Sequence, residues 1–169
     1  MKKFFIVLTI LFFASLFYGC VAIDNSDRRS RTVNLQNNTS IDGNEIDFNA
    51  QYLRTSYSSR LNQAEITVVS SVNELNRYFE NRRISEIEKY TDNFFANNFL
   101  VIAGLVESSG SNRHEVKSVS ETGDIVINRL VPEIGTADMA AWNIIIELNK
   151  NINTRQFKVS LVEVEYKYY

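Results

Sequence analysis

Phe99-Leu100-Val101-Ile102-Ala103-Gly104-Leu105-Val106 is the stretch whose reading decides the fold. Successive side chains of a strand point to opposite faces. An unbroken apolar run of strand length therefore describes a strand covered on both sides. The segments that follow it also read as strands. Arg113 to Ser120 alternates polar and apolar residues, as a half-exposed strand does, and Asp124 to Val131 is apolar again. Glu121-Thr122-Gly123 supplies a tight turn between them. Trp142, Ile144, Ile146 and Leu148 alternate with Asn143, Glu147 and Asn149. Phe157, Val159 and Leu161 alternate with Lys158 and Ser160, and the apolar set then moves to Val162, Val164 and Tyr166. That change of phase predicts a bulge or bend near Leu161.

Before the central run, Tyr52 to Tyr57 and Glu65 to Ser70 have short strand character. Ser71-Val72-Asn73-Glu74 matches a capping box, in which the hydroxyl and the carboxylate satisfy free N–H groups at a helix start. The helix it opens places Val72, Leu75 and Phe79 on one face. Ser85 to Tyr90 reads as a second helical stretch, and Asp92 to Asn97 as a short capped turn that buries Phe94 and Phe95. The expected fold is α+β, a mostly antiparallel meander of about five strands with short N-terminal helices packed on it.

In a meander, alternate connections lie at the same end of the sheet. Ser108-Ser109-Gly110-Ser111-Asn112 and Pro132-Glu133-Ile134-Gly135-Thr136-Ala137-Asp138-Met139 are thus expected side by side. The second is longer than a hairpin needs, and long loops held by a rigid sheet often carry binding. Ser109, Gly110, Ser111, Arg113, His114, Thr136, Asp138 and Trp142 are the candidate binding residues. Each also has a plainer structural use. Ser-Gly-Ser is ordinary turn chemistry, Thr136 to Asp138 can stabilise its own loop, and Trp142 heads an apolar alternation that belongs in a core.

The chain opens Met1-Lys2-Lys3, continues apolar from Phe4 to Tyr18, and reaches Gly19 and its single cysteine, Cys20. A transmembrane helix needs about 20 apolar residues, so this stretch is short for one. Asp24, Asp27, Arg28 and Arg29 end the hydrophobicity at once. The segment resembles a bacterial lipoprotein signal, with Phe17 standing where that pattern usually has Leu. The resemblance implies residues 1–19 as a signal peptide, cleavage before Cys20, and acyl chains on its sulfur and new amine. Each buried methylene contributes about 0.8 kcal/mol, so two or more chains hold a protein to a membrane lipid layer stably. Residues 20–50, rich in Asn, Ser, Asp and Arg, read as the lipidated cysteine and a tether with an r.m.s. span of roughly 30 Å. Residues 51–169 read as a single α+β domain.

Removing residues 1–19 lowers Lys+Arg from 18 to 16 against 20 Asp+Glu, so the mature chain carries a net charge of −4. That balance argues against nucleic acid as a partner. With Cys20 acylated no thiol remains for a disulfide or a cysteine metal site.

Phe94-Phe95, Leu100-Val101-Ile102, Ser109 to Val116 and Thr136 to Trp142 resemble a domain of uncharacterised bacterial envelope lipoproteins. The domain is more distantly similar to the C-terminal domain of the PrcB lipoproteins, which accompany a surface protease complex. The resemblance spans about residues 90–164. It implies attachment in the cell envelope, facing periplasm or exterior, and a non-catalytic binding or accessory role toward another envelope protein. It carries no catalytic residues. A small-molecule- or ion-binding lipoprotein is the alternative expectation.

Enzyme chemistry has little to stand on. A Ser-His-Asp relay can be written from Ser109 or Ser111, His114 and Asp138, without a G-x-S-x-G elbow. One histidine gives no zinc-protease pattern, and no phosphate-binding glycine loop occurs. No cofactor is implied. Glu163 and Glu165, two apart on a strand, share one face and read as a solvated pair.

Overall fold

The computed structural model describes residues 43–55 and 65–166. Cys20, the signal segment and most of the expected tether lie outside them, as does Tyr57. Seven strands and two helices are described: β1 (Asn49–Thr55), β2 (Glu65–Val69), α1 (Val72–Tyr78), α2 (Asp92–Asn97), β3 (Asn98–Glu107), β4 (Arg113–Val119), β5 (Asp124–Pro132), β6 (Ala140–Asn149) and β7 (Lys158–Tyr166). The class is α+β and the pairing mostly antiparallel, as the sequence predicts. The strand count and the arrangement differ. There are seven strands rather than five, and they form two sheets, β1-β6-β3-β2 and β4-β5-β7, instead of one meander. β7 lies parallel to β5, the single parallel pair of these sheets.

Three layers result. Phe99, Val101, Ala103 and Leu105 of β3 and Ile144, Ile146 and Leu148 of β6 meet Val116, Val119, Ile125 and Ile127 of the smaller sheet. On the opposite face of the larger sheet, Leu100, Ile102 and Ile145 pack against Leu75, Phe79, Ile87, Tyr90 and Phe95 from the helical segment. Both parities of β3 are therefore buried, which is why its sequence has no polar alternation.

Asn44 to Phe48, which composition groups with the tether, belong to the fold. Ile46 and Phe48 pack on the inter-sheet core. Glu45 bridges to Ser120, and the Ile46 N–H donates to the Val119 carbonyl at 2.9 Å, so this segment borders β4 before the chain crosses to the larger sheet as β1.

The capping box forms. Ser71 Oγ accepts from the Glu74 N–H at 3.2 Å, and the Glu74 carboxylate accepts from the Ser70 N–H at 2.7 Å. Ser71→Ala should cost about 1 kcal/mol and lower the melting temperature by a few degrees in a circular dichroism melt; an unchanged melt would count against the cap. The second helical stretch shrinks to a 3₁₀ turn over Ser85–Ile87, opened by Ile84, whose side chain has no hydrogen bond to give. Phe95 is buried as expected, whereas Phe94 is only half-buried, and Thr91 caps α2 without a side-chain hydrogen bond.

The bend expected near Leu161 is absent: β7 keeps one register against β5 throughout. The irregularity sits in β4, between Val116 and Ser118. The register places Val159, Leu161 and Glu163 opposite Ile125, Ile127 and Arg129, so the inward set keeps its phase and turns polar. Val162 and Val164 lie on the other face, where Val164 is exposed.

Candidate functional site

The expected juxtaposition of the two loops is present, for a different reason. Both connections, β3 to β4 and β5 to β6, pass from one sheet to the other at the same end of the sandwich. They are tied together. Ser111 Oγ donates to Thr136 Oγ1 at 3.1 Å and accepts from the Thr136 N–H at 3.1 Å, while Ser109 Oγ lies 3.4 Å from Thr136 Oγ1. The Gly110 N–H donates to Asp138 Oδ1 at 3.3 Å, and Arg54 of β1 reaches Asp138 Oδ2 at 3.0 Å. A side chain at position 110 would overlap the Asp138 carboxylate and the Arg54 guanidinium, so these two flexible side chains keep their present places only beside a glycine. The Thr136 hydroxyl, then the backbone N–H groups of Asp138 and Gly110 and the Arg54 charge, hold the Asp138 carboxyl below the usual aspartate range against an opposing effect of desolvation. The second loop is exposed from Glu133 to Met139, and two large apolar side chains are among its exposed residues: Ile134 is 87% exposed and Met139 49%.

Beneath the loops the sandwich core ends in charge. Glu107 continues the inward parity of β3, and its side chain is 2% exposed. His114 Nε2 lies 2.9 Å from Glu107 Oε1, with the imidazole wholly buried. Arg129 donates through Nε and Nη2 to the same carboxylate, at 2.8 and 2.6 Å to Oε2, and Asn112 Nδ2 donates to Oε2 at 2.7 Å. Arg129 Nη1 reaches outward to Glu163 Oε2 at 3.0 Å. Burial pushes the Glu107 carboxyl up; the hydrogen bonds from His114, Arg129 and Asn112, with the Arg129 charge, outweigh it and hold the carboxyl down at about 2. The carboxylate is therefore ionised at neutral pH, and the His114 Nε2–H donates to it.

Trp142 joins the two levels. It is buried, with His114 edge-on at 5.5 Å between ring centroids and the Arg113 guanidinium 5.6 Å over its ring. Arg113 in turn donates through Nη1 to the Gly110 carbonyl at 2.8 Å. All eight candidate loop residues thus converge on one end of the molecule. They do not assemble the relay written from the sequence. Ser109 and Ser111 bond to Thr136, Asp138 to Gly110 and Arg54, and His114 to Glu107.

Sequence reading missed Glu107, Arg129, Asn112 and Arg54. For the first two a signal existed. Extending the inward parity from Phe99 to Leu105 by one step reaches Glu107, and extending it from Ile125 and Ile127 reaches Arg129. An acid and a base at consecutive inward positions of two strands call for each other. Arg54 carried no such mark. The chain matches no protein-family model, no curated protein and no solved structure.

Proposed function

We propose that this chain is a bacterial envelope lipoprotein, anchored to a membrane through acylated Cys20, whose folded domain is a non-catalytic binding module for another protein. The observation that carries the reading is a loop pinned by four side-chain contacts that nonetheless turns Ile134 and Met139 to solvent. Ordering a loop in advance lowers the entropic cost of docking, and apolar anchors on a rigid support are what binding hot spots consist of. Leaving such residues exposed has no benefit to the isolated domain. The buried ion-pair cluster serves this surface as its foundation: Glu107 fixes Asn112 and His114, which flank Arg113 and its contact with Gly110. The resemblance to lipoproteins of a surface protease complex supports an envelope protein as the partner class.

Photo-crosslinking in native membranes tests this. A photoreactive amino acid replacing Ile134 should give a discrete protein adduct, and the same group replacing exposed Lys117 on β4 should not. Equal adducts from both positions, or none from position 134, would remove the loop surface.

A further inference from the structure

Two adjoining clefts lie on the helical side of the larger sheet, and both are lined by Arg82, Arg83 and Ile84. The first has a volume of about 480 Å³ and an apolar floor that includes Leu75 and Ile87. The second, about 380 Å³, runs beside Leu53, Arg54 and Thr55 of β1. β1 is the terminal strand of its sheet, so part of its backbone faces away from β6 with no strand neighbour among the described residues.

The charges around the second cleft are unequal. Arg54, Arg82 and Arg83 line it against one acid, Glu86, whereas Glu88 and Asp92 line the first cleft beside the same Arg82 and Arg83. Arg54 is engaged with Asp138 and Arg82 with Glu80 at 2.7 Å. Arg83 has no hydrogen-bond or ion-pair partner among the described residues, so one guanidinium at the junction of the two clefts is uncommitted. The backbone is bent to deliver it there. Glu80 and Asn81 are consecutive non-glycine residues at φ 54 and 57, an arrangement that L-residues adopt at a cost and that ends α1 just before Arg82.

We propose that this groove takes an extended acidic segment of the partner protein. The segment lies along the free side of β1, seats a carboxylate on Arg83, and places an apolar side chain over Leu75 and Ile87. Edge pairing supplies affinity without regard to sequence, and the alternate side chains supply selectivity. A guanidinium grips a carboxylate with two parallel hydrogen bonds, which sets the acidic residue in register. The groove adjoins the loop surface, because Arg54 both lines the second cleft and pairs with Asp138 of the loop. This inference rests on the protein-binding reading above and names the chemistry of its partner.

The probe is a short fluorescent peptide alternating glutamate and valine, added to the full-length chain in detergent, with a lysine–valine peptide as control. The acidic peptide should bind below about 1 mM and the basic one should not. Arg83→Glu should weaken binding by at least about tenfold, and added salt should weaken it further. Arg83 has no internal partner, so this variant should keep the wild-type melt, and Arg83→Lys should retain part of the affinity. Equal binding of both peptides, indifference to Arg83→Glu, or Arg83-dependent binding of phosphatidylglycerol vesicles without the peptide would overturn the proposal. The two readings fail separately. Adducts at position 134 without peptide binding remove the groove alone, and peptide binding without adducts removes the loop surface alone.

Discussion

Glu107→Gln is expected to destabilise the folded domain by about 3 kcal/mol, although it changes a single heavy atom. Glutamine keeps the shape and one oxygen for Asn112. It removes the charge that balances Arg129 and presents an amide where two N–H donors now converge. The loss is less that of a favourable pair than of the compensation for a buried charge: Arg129, whose side chain is 25% exposed, stays between the sheets with only Glu163 to face. Thermal and urea unfolding would register the change as a drop of about 10 °C in melting temperature. A loss below about 1 kcal/mol would show that the cluster is not held as a unit.

The same group sets an acid limb. Its carboxyl titrates near 2 in the folded state, against 4.5 as the ordinary value. The stability it contributes is complete above about pH 4.5 and disappears as pH falls toward 2, amounting to about 3 kcal/mol. The Glu107→Gln protein should lack most of that slope while keeping a two-state urea transition. Parallel acid limbs in the two proteins would contradict the assignment.

Gly123→Ala should cost a comparable amount, about 3 kcal/mol, for reasons of backbone alone. Gly123 sits at φ 97 in the β4–β5 turn, where an added Cβ would overlap the Gln156 carbonyl oxygen. That oxygen is main chain and cannot swing aside. Two residues later the Lys158 N–H donates to the Gly123 carbonyl at 3.0 Å, so moving Gln156 displaces the start of β7 on β5. Gly43→Ala is the control, because its φ of 93 is equally unusual but its nearest neighbour is the Thr122 methyl group at 3.0 Å. Gly43→Ala should cost about 1 kcal/mol, the conformational cost without the displaced main chain. Equal losses in a urea titration would mean that the Gln156 contact does not matter.

Much of this structure was legible in the chain because strand parity is a local signal. The run from Phe99 to Val106 marks a strand covered on both faces, and the alternations at Arg113 and Trp142 mark strands with one dominant inward set. The partition into two sheets was not legible. Ser108 to Asn112 is a connection length that suits a hairpin and an inter-sheet crossing equally well. The choice is made by β3 pairing with β6 across 33 to 51 residues of sequence, a preference that no short window contains. The imagined bend at Leu161 shows the same limit: Val162 and Val164 drew attention away from Glu163, whose inward place makes sense only once Arg129 lies opposite it. The loop pair was found because topology alone brings both crossings to one end. Arg54 escaped notice because its role depends on a contact with a residue 84 positions later.

The parallel alignment of β7 with β5 has a temporal consequence. As the polypeptide emerges from its amino end, β4 and β5 can zip into a hairpin at once, but the flank of β5 stays bare until β6 has been laid into the other sheet and β7 returns. Over that interval Ile125 and Ile127 lack the lateral neighbours that Val159 and Leu161 later provide, and Arg129 waits for Glu163. Such late, long-range closure is slow.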